Sequence, residues 1–119
     1  ASQTIDRIID SFPPNQQGQV ISQLASVLVA TISQRLIPAQ GGGRVAVNEV
    51  MIVNSAIKNL IRERKTYQID LVIETSAQEG MISLNRSLVQ MVKQQVITLD
   101  QAKAYSINPA ELQVLLERS

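Results

Sequence analysis

The sequence predicts a mixed α/β chain, with helices around one β-hairpin in its first half and helices alone in its second. Three observations carry that reading. Gly41, Gly42 and Gly43 stand between two runs able to extend. The second run, residues 44–53, carries β-branched side chains at Val45, Val47, Val50, Ile52 and Val53. From Asn54 onward the apolar spacing turns helical and stays so, which places a domain boundary between residues 53 and 54.

The first helix starts almost at once, with Ser2 or Thr4 as its cap and Ile5, Ile8 and Ile9 on one face. Phe12-Pro13-Pro14 stops it, because neither proline donates a backbone hydrogen bond and each drives its predecessor out of the helical region. Asn15 is placed to cap a second helix reaching about Ile32. Over that span Val20, Ile21, Leu24, Ala25, Val27, Leu28, Val29 and Ile32 leave only a narrow polar stripe, the pattern of a helix deep inside a core. Arg35-Leu36-Ile37-Pro38 and residues 44–53 then read as the two strands of the hairpin. Apolar side chains fall on both faces of the second strand, which predicts further sheet beside these two strands.

In the helical half Ser55 is read as the cap of a helix with Ile57, Leu60 and Ile61 on one face. Thr66 opens the next, with Ile69, Val72 and Ile73 inward and Gly80 as its stop. Ser83 opens a third carrying Leu84, Leu88, Met91 and Val92. Thr98-Leu99-Asp100-Gln101 has the form of a capping box, and Asn108-Pro109-Ala110-Glu111 joins an N-cap, a first-turn proline and a glutamate three residues on.

Composition narrows the chemistry. The 119 residues are 45% hydrophobic, as in a folded protein, with 11 basic and 10 acidic side chains. That balance builds no field for nucleic acid or an anionic membrane. With no cysteine and no histidine, disulfides, thiolate metal sites and histidine general bases are excluded. The apolar run from Leu24 to Ile32 is interrupted by Ser26 and Thr31 and is far shorter than the roughly 20 residues a bilayer requires. No signal-peptide pattern is legible, and a cytoplasmic location is the expectation.

Eight consecutive residues, Ala56-Ile57-Lys58-Asn59-Leu60-Ile61-Arg62-Glu63, resemble the Ala-Ile-Arg-Asn-Leu-Ile-Arg-Glu motif of type IV pilus retraction ATPases. Thr4-Ile5-Asp6-Arg7-Ile8-Ile9-Asp10, Phe12-Pro13-Pro14, Gln23-Leu24-Ala25-Ser26-Val27-Leu28-Val29 and Gly80-Met81 resemble the same family in the same order, so the resemblance covers nearly the whole chain. It implies the C-terminal portion of a longer protein. Residues 1–53 would be the rear of a RecA-like P-loop core, and 54–119 a helical C-terminal domain carrying the retraction motif. The parent it implies is a hexameric ATPase that uses ATP and Mg²⁺. That parent retracts pili through an inner-membrane platform protein, from a peripheral position at the pilus base. No Gly-Lys-Ser or Gly-Lys-Thr loop occurs here, so the segment itself is expected to bind no nucleotide and to hold no catalytic residue or metal.

Each candidate also has a plain structural reading. The motif is equally an amphipathic helix whose apolar stripe goes inward and whose Lys58, Asn59, Arg62 and Glu63 face water. Lys58 replaces the family's arginine and forfeits its planar, two-pronged donor. Arg7 is a candidate interface residue, and otherwise a solvated arginine beside Asp6 or Asp10. Arg62-Glu63-Arg64-Lys65 reads as a solvated helix end, and Gly41 to Gly43 as a turn rather than a phosphate loop. Glu74 and Glu79, five apart, fall on different helix faces and make a poor acid/base pair. Gln95 and Ser76 stand where the family commonly has glycine. A left-handed backbone at Gln95 would cost roughly 1 kcal/mol. Two alternatives stay open: an assembly or type II secretion ATPase of the same superfamily, and a non-enzymatic helical interaction module. A helix-turn-helix nucleic-acid binder is disfavoured by the net charge of +1.

Overall fold

A computed structural model describes residues 1–118. In chain order the described residues form α1 (Ser2–Asp10), α2 (Pro14–Val27), β1 (Ala30–Pro38), β2 (Arg44–Ile52), α3 (Ser55–Arg62), α4 (Ile69–Thr75), α5 (Leu84–Lys93), α6 (Leu99–Tyr105) and α7 (Pro109–Arg118). Short 3-10 turns at Thr66–Gln68 and Ala77–Glu79 flank α4. The strands pair as a single hairpin. Gly41, Gly42 and Gly43 all take positive φ in its turn, a conformation glycine alone adopts without strain.

Packing groups the chain into two units that are discontinuous in sequence. The first joins Ala1–Ile32 to Val50–Met81, and the second joins Ser33–Glu49 to the residues from Ile82 onward. In the first, Ile5, Ile9, Ile21, Ala25, Met51, Val53, Ile57, Ile61, Ile69, Ile73 and Met81 form the core. In the second, Ile37 and Val47 meet Leu84, Leu88, Val89, Ile97, Ala102 and Leu112. Among the described residues there is no further strand, contrary to the expectation. Side chains of helices cover the apolar positions of β2 instead, with Met51 in the first core and Val47 in the second.

The stretch after the prolines also departs from expectation. Pro14 itself begins α2, with Pro13 before it and no side-chain cap, so Asn15 lies inside the helix. The helix ends at Val27, where Leu28 turns extended, and the chain enters β1 at Ala30. Only Ile21 and Ala25 are buried along α2, and Val27, Val29 and Ile32 are at least 70% exposed. The run Val27 to Ile32 is dense in β-branched residues, and strand pairing claims it: Val53 N donates to Val29 O at 2.8 Å. Nor does a side chain cap α1, whose N-cap is Ala1.

Two helices end in the same device. At α3, Arg64 N reaches Ile61 O and Lys65 N reaches Leu60 O; at α5, Gln95 N reaches Val92 O and Val96 N reaches Met91 O. Both are Schellman closures, which need a left-handed residue, and Arg64 and Gln95 supply it at φ 58 and 61. Gln95 keeps the conformation that glycine would adopt freely. Ser76 does not, at φ −117. Gln95→Gly is therefore expected to stabilise the second unit by about 0.5–1 kcal/mol, seen as slower amide exchange in α5. Unchanged or faster exchange would contradict it.

Candidate functional site

The motif residues Ala56 to Glu63 lie on α3 and its C-terminal cap. Ile57 and Ile61 are wholly buried, and Leu60 packs against the first core from a half-buried position. The spacing of i and i+4 puts both isoleucines under the helix, against α2 and α4. Ala56, Asn59, Arg62 and Glu63 are exposed on the other side, and Lys58 is half-buried. Glu63 pairs with Lys65 at 3.4 Å, an exposed contact of little energetic weight.

Both ends of this helix are pinned. Asn54, not Ser55, is the cap: its Oδ1 accepts from Ile57 N at 2.9 Å while its Nδ2 donates to the Glu79 carboxylate at 3.2 and 3.3 Å. A cap oxygen satisfies an orphan amide, and a carboxylate beside a helix start suits the helix dipole. Asn54 outcompetes Ser55 because it holds the extended backbone of a cap, at ψ −176, and Ser55 is already helical. Glu79 is thus engaged at the start of the motif helix.

At the other end the left-handed Arg64 directs its guanidinium to Gln17 Oε1 at 2.8 Å. Thr66, predicted as a cap, instead donates its hydroxyl to Asp6 Oδ1 at 2.7 Å and is buried. Asp6, Gln17, Arg64 and Thr66 border a cleft of about 200 Å³ with Ile9 and Asp10. Arg64 stands in a charge run that reads as a solvated helix end, and no local pattern reveals these pairs because their partners lie 47 and 60 residues apart in the chain. Arg7 sits on the exposed side of α1, and no side-chain hydrogen bond or ion pair engages it among the described residues.

The second unit holds a polar network that the pattern did not reveal. Buried Asn85 donates through Nδ2 to Asn108 O at 3.2 Å and accepts from the Ser106 hydroxyl. Asn108 in turn accepts from Glu111 N, as its motif predicts. The capping box at Thr98 and Gln101 is complete, and Ser83 caps α5.

In the hairpin turn Gly42 N donates to Ala39 O, and Gln40 N just before it donates to Val96 O. A strand rather than a helix follows the glycines. Among the described residues no helix is long and apolar enough to cross a membrane, and no group of three or more acidic side chains is placed to hold a metal.

No family model matches the chain. The crystal structure of the pilus retraction motor PilT with bound ADP superposes with a TM-score of 0.81 and 44% identity, over 96% of this chain and 32% of that one. The fold is that of one segment of a motor protein. By sequence, the chain is 41% identical over 109 residues to a twitching motility protein of Neisseria gonorrhoeae, covering 91% of this chain and 29% of that protein. It is 43% identical over 103 residues to the type IV pilus retraction ATPase PilT of Pseudomonas aeruginosa, covering 87% and 30%. The chain thus spans under a third of the length of these relatives, and it is homologous to one segment of the type IV pilus retraction ATPases.

Proposed function

We propose that this chain is the C-terminal portion of a hexameric, ATP-driven motor that retracts type IV pili in twitching motility. Residues 1–53 are the rear of its RecA-like core, and 54–119 are the helical domain that carries the retraction motif. ATP and Mg²⁺ are held by residues outside this segment, and hydrolysis happens there. The segment's part is mechanical: it couples that hydrolysis to pilus disassembly. The motor works in the cytoplasm, at the inner-membrane base of the pilus, against a platform protein.

One observation supports this most. In a chain homologous to retraction ATPases, the motif helix is anchored by Ile57 and Ile61 at 0% exposure and leaves Asn59, Arg62 and Glu63 outward. A buried base and a free charged face are what a force-bearing contact requires. Arg7, exposed and unengaged, is assigned to a contact with a neighbouring subunit.

The test is the pair Arg62→Ala and Glu63→Ala in the full-length protein. Both sites are exposed, so folding is expected to be unchanged, with ATP turnover within about twofold and pilus retraction reduced by about tenfold or more. Parallel loss of turnover and retraction would remove the coupling role. Intact retraction would remove the motif's function altogether.

A further inference from the structure

We infer that two hydrogen bonds, Thr66 to Asp6 and Arg64 to Gln17, lock the motif helix to α1 and α2, so that α3 travels as one body with the helices ahead of the hairpin. The inference rests on the motor reading and adds to it which parts of the segment move together.

Four observations on the first unit lead there. Both bonds leave the chain immediately after the motif, at Arg64 and Thr66, and both end on residues before the hairpin, at Gln17 and Asp6. They therefore cross the division at residue 53 between core and helical domain. The contact is in register: Ser2 Oγ donates to Asp70 at 3.4 Å, so a step of four along α1, from Ser2 to Asp6, matches a step of four backwards, from Asp70 to Thr66. Beneath this polar edge Ile5 and Ile9 share a core with Ile61 and Ile69, and the paired polar groups add directional contacts to that packing.

Arg64 adds an argument from strain. A non-glycine residue at φ 58 carries a backbone cost that glycine would not. That cost aims a guanidinium at Gln17, where glycine would offer no side chain. Asp6, Gln17, Arg64 and Thr66 are positioning residues on this view.

The experiment uses the full-length protein with one label on α1 and one on α3, at Gln3→Cys and Ser55→Cys, both exposed and outside the eight-residue motif. The segment has no cysteine to interfere. Pulsed electron-spin measurements on assemblies in which labelled subunits are diluted with unlabelled ones, without nucleotide, with ADP and with a non-hydrolysable ATP analogue, are expected to give one narrow distance that does not shift. Thr66→Val and Gln17→Ala should broaden it, and Thr66→Ser should restore it. The double variant Asp6→Asn, Thr66→Val should be no broader than either single one, as for two halves of one bond. Arg64→Gly discriminates further: it should raise the melting temperature by relieving strain, yet broaden the distance and lower retraction per ATP hydrolysed by about tenfold. A distance that shifts with nucleotide in the unmodified protein, or one that stays narrow in Thr66→Val, overturns the lock. If the protein neither hydrolyses ATP nor retracts pili, the motor reading falls, while the width in Thr66→Val still decides whether these bonds hold the register.

Discussion

Ile61→Ala is expected to cost about 3 kcal/mol, because it empties a site at 0% exposure at the centre of the first core. Ile61 shares one cluster with side chains from α1, α2, α4 and β2, and α3 packs directly on α2 and α4, so no single element can collapse into the space. Amides of α1 to α4 should exchange about 100-fold faster, following a factor of ten for each 1.4 kcal/mol. The neighbouring Leu60→Ala, at a half-buried position, should cost only about 1 kcal/mol. Equal effects at Leu60 and Ile61 would mean that the burial assigned to α3 is wrong. The comparison also bears on function, since the motif's charged face is only as rigid as the isoleucines that anchor it.

Asn85→Ala is the second large effect, at about 2 kcal/mol, and it falls on the second unit. The substitution removes two partners at once, leaving the Asn108 carbonyl and the Ser106 hydroxyl to be satisfied otherwise. Asn108 also caps α7 through Glu111 N, so the disturbance reaches the start of that helix. Exchange in α5 and α7 should quicken by about 30-fold. A loss below about 0.5 kcal/mol would show that the network is not part of what holds these helices together.

The way the motif helix is held changes how its role can be thought about. Asn54 and Glu79 secure its start, and Arg64 and Thr66 secure its finish. All four lie outside the eight-residue motif, and the partners at its finish, Asp6 and Gln17, lie before the hairpin.

Local signals that depend on near neighbours were legible. The capping box at Thr98, the N-cap at Asn108, the hairpin turn at Gly41 to Gly43 and the inward face of α3 all involve groups a few residues apart, where geometry follows from the spacing itself. The stop expected at Gly80 comes earlier: α4 ends at Thr75, and Gly80 closes only the 3-10 turn that follows. The resemblance to retraction ATPases was legible for a related reason, since it rests on an uninterrupted run of residues. Where two local readings compete, the chain alone could not choose. Residues 24–32 are apolar enough for a buried helix and β-branched enough for a strand; α2 keeps them as far as Val27, and beyond it the pairing of Val29 with Val53 decides for the strand.

Tertiary structure alone determined the rest. Thr66 looks like a cap until Asp6, 60 residues away, takes its hydroxyl, and Arg64 looks like a solvated charge until Gln17 does the same for its guanidinium. Helical period, turns and family membership are written in short-range order, because each is a property of a few adjacent residues. Which helix is bound to which is a property of contacts that exist only once distant segments have been brought together, and in this chain those contacts join the residues after α3 to α1 and α2.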